Sequence, residues 1–138
     1  MVPMLHEMYD GLRVEHGEAA PAWAFIYVEE AHALDEWPIS SSRYHPTGEV
    51  VAVAQAKTVD DRAEAATHFA DLYQLRLPVF LDTLDNEFQT TYGAWPLRFY
   101  VFEASTLGYK AMPAECTYSI SDLWAAASAA CTRTASAR

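Results

Sequence analysis

Residues 22–38 read AWAFIYVEEAHALDEWP, and the fold turns on how this stretch is read. Trp23-Ala24-Phe25-Ile26-Tyr27-Val28 is a short apolar run rich in β-branched and aromatic residues. It has the length of a strand and no polar alternation, the pattern of a central parallel strand covered on both faces. Polarity then switches within one residue, to Glu29, Glu30, His32, Asp35 and Glu36. Open α/β sheets keep their ligands outside the carboxyl ends of their strands. Glu30 and His32 stand two residues apart at such an end, on one face if the chain stays extended. A carboxylate and an imidazole so placed can move a proton near neutral pH. Structural ion networks also gather charge at strand ends, so both roles stay open at this point.

Working outward, residues Pro3 to Val14 carry Met4, Leu5, Met8 and Leu12 at helical spacing, with proline in the first turn and Gly17 as the stop. After Pro38 the chain is turn-like from Ile39 to Gly48, and Val50, Val51 and Val53 suggest a short strand. Thr58 followed by Asp61 is a capping-box pattern opening a helix over Val59–Tyr73, with Ala65, Ala66, Phe69, Leu72 and Tyr73 on its buried side. His68 in that helix reads as a surface or boundary residue. Leu77–Leu81 is a second apolar run ending in an acid, Asp82, and predicts a second parallel strand. A turn, a short helix Glu87–Tyr92 and a stop at Gly93 follow. Leu97–Glu103 alternates as a strand does, turns through Ser105–Gly108 and pairs with Tyr109–Ala111 as a hairpin. Ser119 caps a last helix to about Ala130, with Ile120, Leu123, Trp124 and Ala127 inward.

A β-α-β half, a β-hairpin and a closing helix make an α/β fold of thioredoxin-like type, a central mixed sheet flanked by helices. The expected organisation is one domain over residues 1–131 and a flexible tail over 132–138. In that layout Trp95-Pro96, just before a strand, stands where such folds carry a cis-proline; an ordinary trans proline at a strand start is the equal alternative.

Composition narrows the function. The chain has 138 residues, 51% of them hydrophobic, and a net charge of −10. An acidic surface disfavours nucleic acid and anionic membranes as partners. No apolar run approaches a membrane span, and MVPMLHEMYD shows no basic segment leading into an apolar one, so no signal peptide is expected. Five histidines form no metal-ligand cluster, and Cys116 and Cys131 match neither a redox pair nor a zinc spacing. Two reduced thiols in a cytoplasmic protein are the expectation.

Phe25-Ile26-Tyr27-Val28-Glu29-Glu30-Ala31-His32, with Asp35 and Trp37 after it, resembles the iodothyronine deiodinase family and its bacterial thioredoxin-fold, redoxin-like relatives. Support comes from Thr58-Val59-Asp60-Asp61-Arg62, Pro78–Asp82 with Asp85-Asn86, and Tyr92-Gly93-Ala94-Trp95-Pro96-Leu97-Arg98. The similarity covers about Val2 to Ala130. It implies a thiol- or selenol-dependent reductase with no added cofactor and no metal, acting on a small molecule with a thiol reductant. Glu30 and His32 fall on the acid and histidine beside the nucleophile. Arg98 falls on an arginine linked to substrate binding, and Trp95, Pro96 and Trp37 on the surrounding contacts. Two departures stand out. Val2-Pro3-Met4-Leu5 matches the helix after the nucleophile loop, so the strand and its Cys or Sec are expected ahead of Met1. About Ala56 stands where the deiodinases carry a further histidine. Three accounts follow: a truncated deiodinase-like enzyme, an inactive thioredoxin-like module that binds a ligand or protein, or an unrelated activity of Cys116 or Cys131. A missing first strand would leave a sheet edge open, which favours lower stability or a homodimer.

Overall fold

The computed structural model describes residues 1–38, 53–115 and 117–136. The predicted turn at Ile39–Gly48, Val50 and Val51 of the short strand, and Cys116 lie outside the described residues; Val53 is irregular chain. The chain divides into two compact units, Met1–Trp23 with Arg98–Arg138, and Ala24–Leu97.

In the first unit, helix α1 spans Val2–His16 with proline in its first turn. Val2, Leu5, Met8 and Leu12 form its buried stripe, whereas Met4, expected on that face, is 49% exposed. Arg13 and His16 sit in the last turn, where positive charge suits the helix dipole. Gly17 ends the helix at φ 56°, a conformation that side-chain-bearing residues resist. Strands β1 and β2 belong to the second unit; here β3 (Tyr100–Glu103) and β4 (Thr106–Lys110) form an antiparallel hairpin.

That hairpin turns on two residues, Ala104-Ser105, with Ala104 at φ 52°. The turn is earlier and tighter than the expected Ser105–Gly108, because the register shifts between Val101 and Phe102 and a bulge takes up Gly108. Helix α4 (Ile120–Ser136) packs on β3 and α1. Ser119 Oγ accepts the Asp122 N–H at 3.2 Å, as the capping pattern predicts. The helix runs past the expected end near Ala130. The Thr132, Thr134 and Ser136 hydroxyls donate to carbonyls four residues back, at 3.0–3.1 Å, so these small polar residues are accommodated within it. Arg133 holds Glu103 of the hairpin with two bonds of 2.8 and 2.6 Å.

In the second unit, β1 (Phe25–Tyr27) pairs in parallel with β2 (Val79–Leu81), Phe25 opposite Val79 and Tyr27 opposite Leu81. The crossover is helix α2 (Val59–Leu72), opened by the predicted capping box: Thr58 Oγ1 accepts the Asp61 N–H and Asp61 Oδ2 accepts the Thr58 N–H. Helix α3 (Glu87–Tyr92) follows and stops at Gly93, φ 62°. The Trp95–Pro96 bond is cis. The strands β1 and β2 are shorter than expected and not covered on both faces: the cross-strand neighbours Ile26 and Phe80 are 39% and 60% exposed. In place of one central mixed sheet, the described residues carry a parallel pair and an antiparallel pair, each within its own unit.

Gly11 marks a close contact with Trp124 of α4, since a Cβ there would lie 2.4 Å from the Trp124 ring. Replacing glycine by alanine in a helix gains about 0.5–1 kcal/mol in propensity. Overpacking costs about 1–3 kcal/mol. Gly11→Ala is therefore expected to lower the midpoint of chemical denaturation despite its better helix propensity; a raised midpoint would show that Trp124 yields freely.

Candidate functional site

The second unit concentrates its polar chemistry where β1 ends. Tyr27, the last strand residue, donates its hydroxyl to Glu30 Oε1. Burial pushes the Glu30 carboxyl above its ordinary range, and the charge of Arg62 offsets this in part. Glu30, Tyr27 and His32 line one cavity of about 220 Å³, with Phe69, Tyr73, His68, Leu72 and Ala65 of the α2 side opposite. The structure thus brings Glu30 and His32 to one pocket. His68 stays exposed at its rim, the boundary position expected for it.

His32 takes a different partner from its neighbour. Its Nδ1 lies 3.3 Å from the Trp37 carbonyl, and the two rings meet edge to face at 4.9 Å. A carbonyl only accepts, so in this contact Nδ1 carries the hydrogen. Trp37, itself 63% exposed, therefore orients the imidazole.

Glu29 serves structure. It accepts from Asn86 Nδ2 at 2.7 Å and from the Gln89 amide. Asp82, buried at 7% exposure, closes β2 and accepts the backbone N–H groups of Thr83, Phe88 and Gln89 at 2.8–2.9 Å. It supplies the cap that Asn86, at φ 56°, does not. Arg62, 3% exposed, donates to the Asp82 and Thr83 carbonyls and to Asn86 Oδ1. The sequence reading gave no role to Arg62 or Gln55. A signal for Arg62 was present: it precedes Ala66 by four residues and Phe69 by seven, on the apolar stripe of α2.

The remaining candidates lie elsewhere. Trp95 and Pro96 do not line this pocket, and Trp95 is 38% exposed. Arg98 belongs to the first unit, where its Nη1 donates to the Tyr118 hydroxyl at 2.9 Å and Tyr118 packs edge-on against Phe99. Cys131 is 2% exposed and burial raises its thiol pKa, the state of an inert core thiol. Among the described residues no group of three or more His, Cys, Asp or Glu is placed to hold a metal ion. No helix among them is long and apolar enough to cross a membrane.

Residues 12–128 match the family model for iodothyronine deiodinase. Thyroxine 5-deiodinase of Homo sapiens is 32% identical over 101 residues, which is 71% of this chain and 30% of that protein. The Ovis aries enzyme of the same name is 31% identical over 101 residues, 71% of this chain and 31% of its own length. Type I iodothyronine deiodinase of Xenopus laevis is 31% identical over 85 residues, 62% of this chain and 30% of that protein. The chain thus spans about 30% of the length of these relatives.

The raised Glu30 pKa fixes a sign for stability. A carboxyl whose folded pKa exceeds its unfolded one favours the folded state while protonated, and loses that contribution as pH rises through the folded value. Glu30→Gln keeps an oxygen for Tyr27 and cannot ionise. Its thermal midpoint should match the parent in acid and exceed it at neutral pH. A parent that melts higher than Glu30→Gln at neutral pH would refute the buried, proton-holding carboxyl.

Proposed function

Because this chain belongs to the iodothyronine deiodinase family, we propose that it carries the proton-handling part of a thiol- or selenol-dependent reductive centre on a thioredoxin-like fold. The observation that supports this most is the pairing at the end of β1. Glu30 is half-buried, bonded to Tyr27 and biased toward its protonated form, while His32 lines the same cavity. A carboxyl held toward its acid form in one pocket with an imidazole suits an acid and its partner.

Reductive removal of a halogen takes two electrons and one proton. In this reading a thiolate or selenolate outside these 138 residues takes the halogen, a thiol reductant regenerates it, and Glu30 with His32 delivers the proton to the carbon released. Trp37, whose ring meets His32 edge to face, frames the imidazole. The buried Cys131 thiol is not the attacking atom in this account, and its reduced state suits a cytoplasmic compartment. The relatives' names point to an iodinated aromatic substrate; the match at about Ala56 leaves the acceptor class broader than thyroid hormones.

The test is iodide release from an iodinated phenol, with a dithiol as reductant, by the longest reading frame that contains these residues. Glu30→Gln and His32→Ala should each lower kcat by about 10²–10⁴-fold, the usual worth of general acid–base catalysis. Turnover that both substitutions leave intact sinks the proposal. An inert protein that still binds the phenol in this pocket would favour the binding module instead.

A further inference from the structure

The geometry points to Gln55 as the residue that positions the Glu30–His32 couple, an assignment that rests on the proton-handling reading above. The parallel ladder ends as the Asp82 N–H reaches the Tyr27 carbonyl at 2.9 Å. Three residues later, no strand among the described residues pairs with the Glu30 backbone. The side-chain amide of Gln55 takes the place of one: its Oε1 accepts the Glu30 N–H at 2.9 Å, and its Nε2 donates to the Glu30 carbonyl at 3.1 Å. A primary amide presents acceptor and donor side by side, as a neighbouring peptide would.

Gln55 is itself held. Its own N–H donates to Asp35 Oδ1 at 2.8 Å, and Nε2 also reaches Glu36 Oε2 at 3.3 Å. The Leu34 N–H donates to the Val53 carbonyl at 2.9 Å, and Lys57 Nζ lies 3.8 Å from Asp35. The turn from Glu30 to Glu36 is therefore tied at both ends to residues 53–57, with His32 inside the loop. Clamping both backbone groups of Glu30 fixes the direction of its Cα–Cβ bond, and so carries the carboxyl to Tyr27 and into the cavity. A residue that merely stabilised the loop would have no bearing on the Glu30 proton.

The experiment follows the Glu30 side-chain carboxyl by NMR across pH in the 138-residue chain, its signal assigned with Glu30→Gln. Gln55→Ala should move the Glu30 titration down toward that of an ordinary glutamate. It should also cut the exchange protection of the Glu30 amide by about three- to tenfold, the equivalent of one net hydrogen bond. Gln55→Glu serves as the second variant. Its neutral acid form donates and accepts as the amide does, whereas its carboxylate cannot donate and faces Glu30, Asp35 and Glu36; among the described residues Lys57 beside Asp35 and Arg62 acting on Glu30 are the opposing charges. This variant should follow the parent in acid and depart from it at neutral pH. An unchanged Glu30 titration and amide protection in Gln55→Ala overturns the assignment, as does Gln55→Glu tracking the parent throughout. These readouts need no turnover. An inert full-length protein would remove the reductive reading alone, and an unaltered Glu30 titration would remove the positioning role alone.

Discussion

A strand of three residues satisfies little of the backbone that follows it, and the second unit is built around that shortfall. Tyr27 makes its ladder bond, and after it the main chain must find donors and acceptors among side chains. Gln55 answers for Glu30, Asp82 for the start of α3, and Arg62 for the carbonyls of Asp82 and Thr83. Each of these side chains does what a longer strand or a better N-cap would otherwise do. The unit thereby gathers polar side chains within a few residues of its strand ends.

Neighbouring acids show how finely this environment sorts identical chemistry. Glu29 and Glu30 are adjacent in sequence, at a bend just past the end of β1, and take different partners. Glu29 meets two side-chain amides that stabilise it as an acceptor, and it becomes a tie to Asn86 and Gln89. Glu30 meets a phenol and an aromatic wall, and burial favours its acid form. Asp35, exposed, is pulled below the ordinary range, chiefly by the Gln55 N–H and further by Lys57. One acid is a strut, one a proton store and one a latch, according to what each faces.

Much of this was legible in the residues. Thr58 and Asp61 announced α2, Gly93 ended α3, Ser119 opened α4, and the abrupt polarity change after Val28 marked the exit from β1. These are local signals, in which the chemistry and its effect lie within one turn of chain. What the sequence concealed depends on contacts over longer separations. Gln55 is 25 residues from Glu30, and no local pattern distinguishes it from any other glutamine before a helix. The exposure of Ile26 and Phe80 was hidden because an apolar run has the same composition whether one face or both are covered. Gly108 reads as a turn glycine until the two-residue turn at Ala104 turns it into a bulge.

The two thiol possibilities can be separated by environment. A reductive thiolate needs a low pKa, which comes from a nearby cation, a helix N-terminus or a metal. Cys131 has the opposite setting: it lies within α4, is 2% exposed, and has the carboxylate of Glu15 as a further influence raising its pKa. Exposing and ionising it would mean opening the helix that also carries Leu123 and Ala127 into the core. The pocket at the end of β1 has a different character, with a carboxyl biased toward its acid form beside an imidazole. None of its described lining residues is a thiol, so the chemistry those side chains offer is that of a carboxyl and an imidazole, not of sulfur.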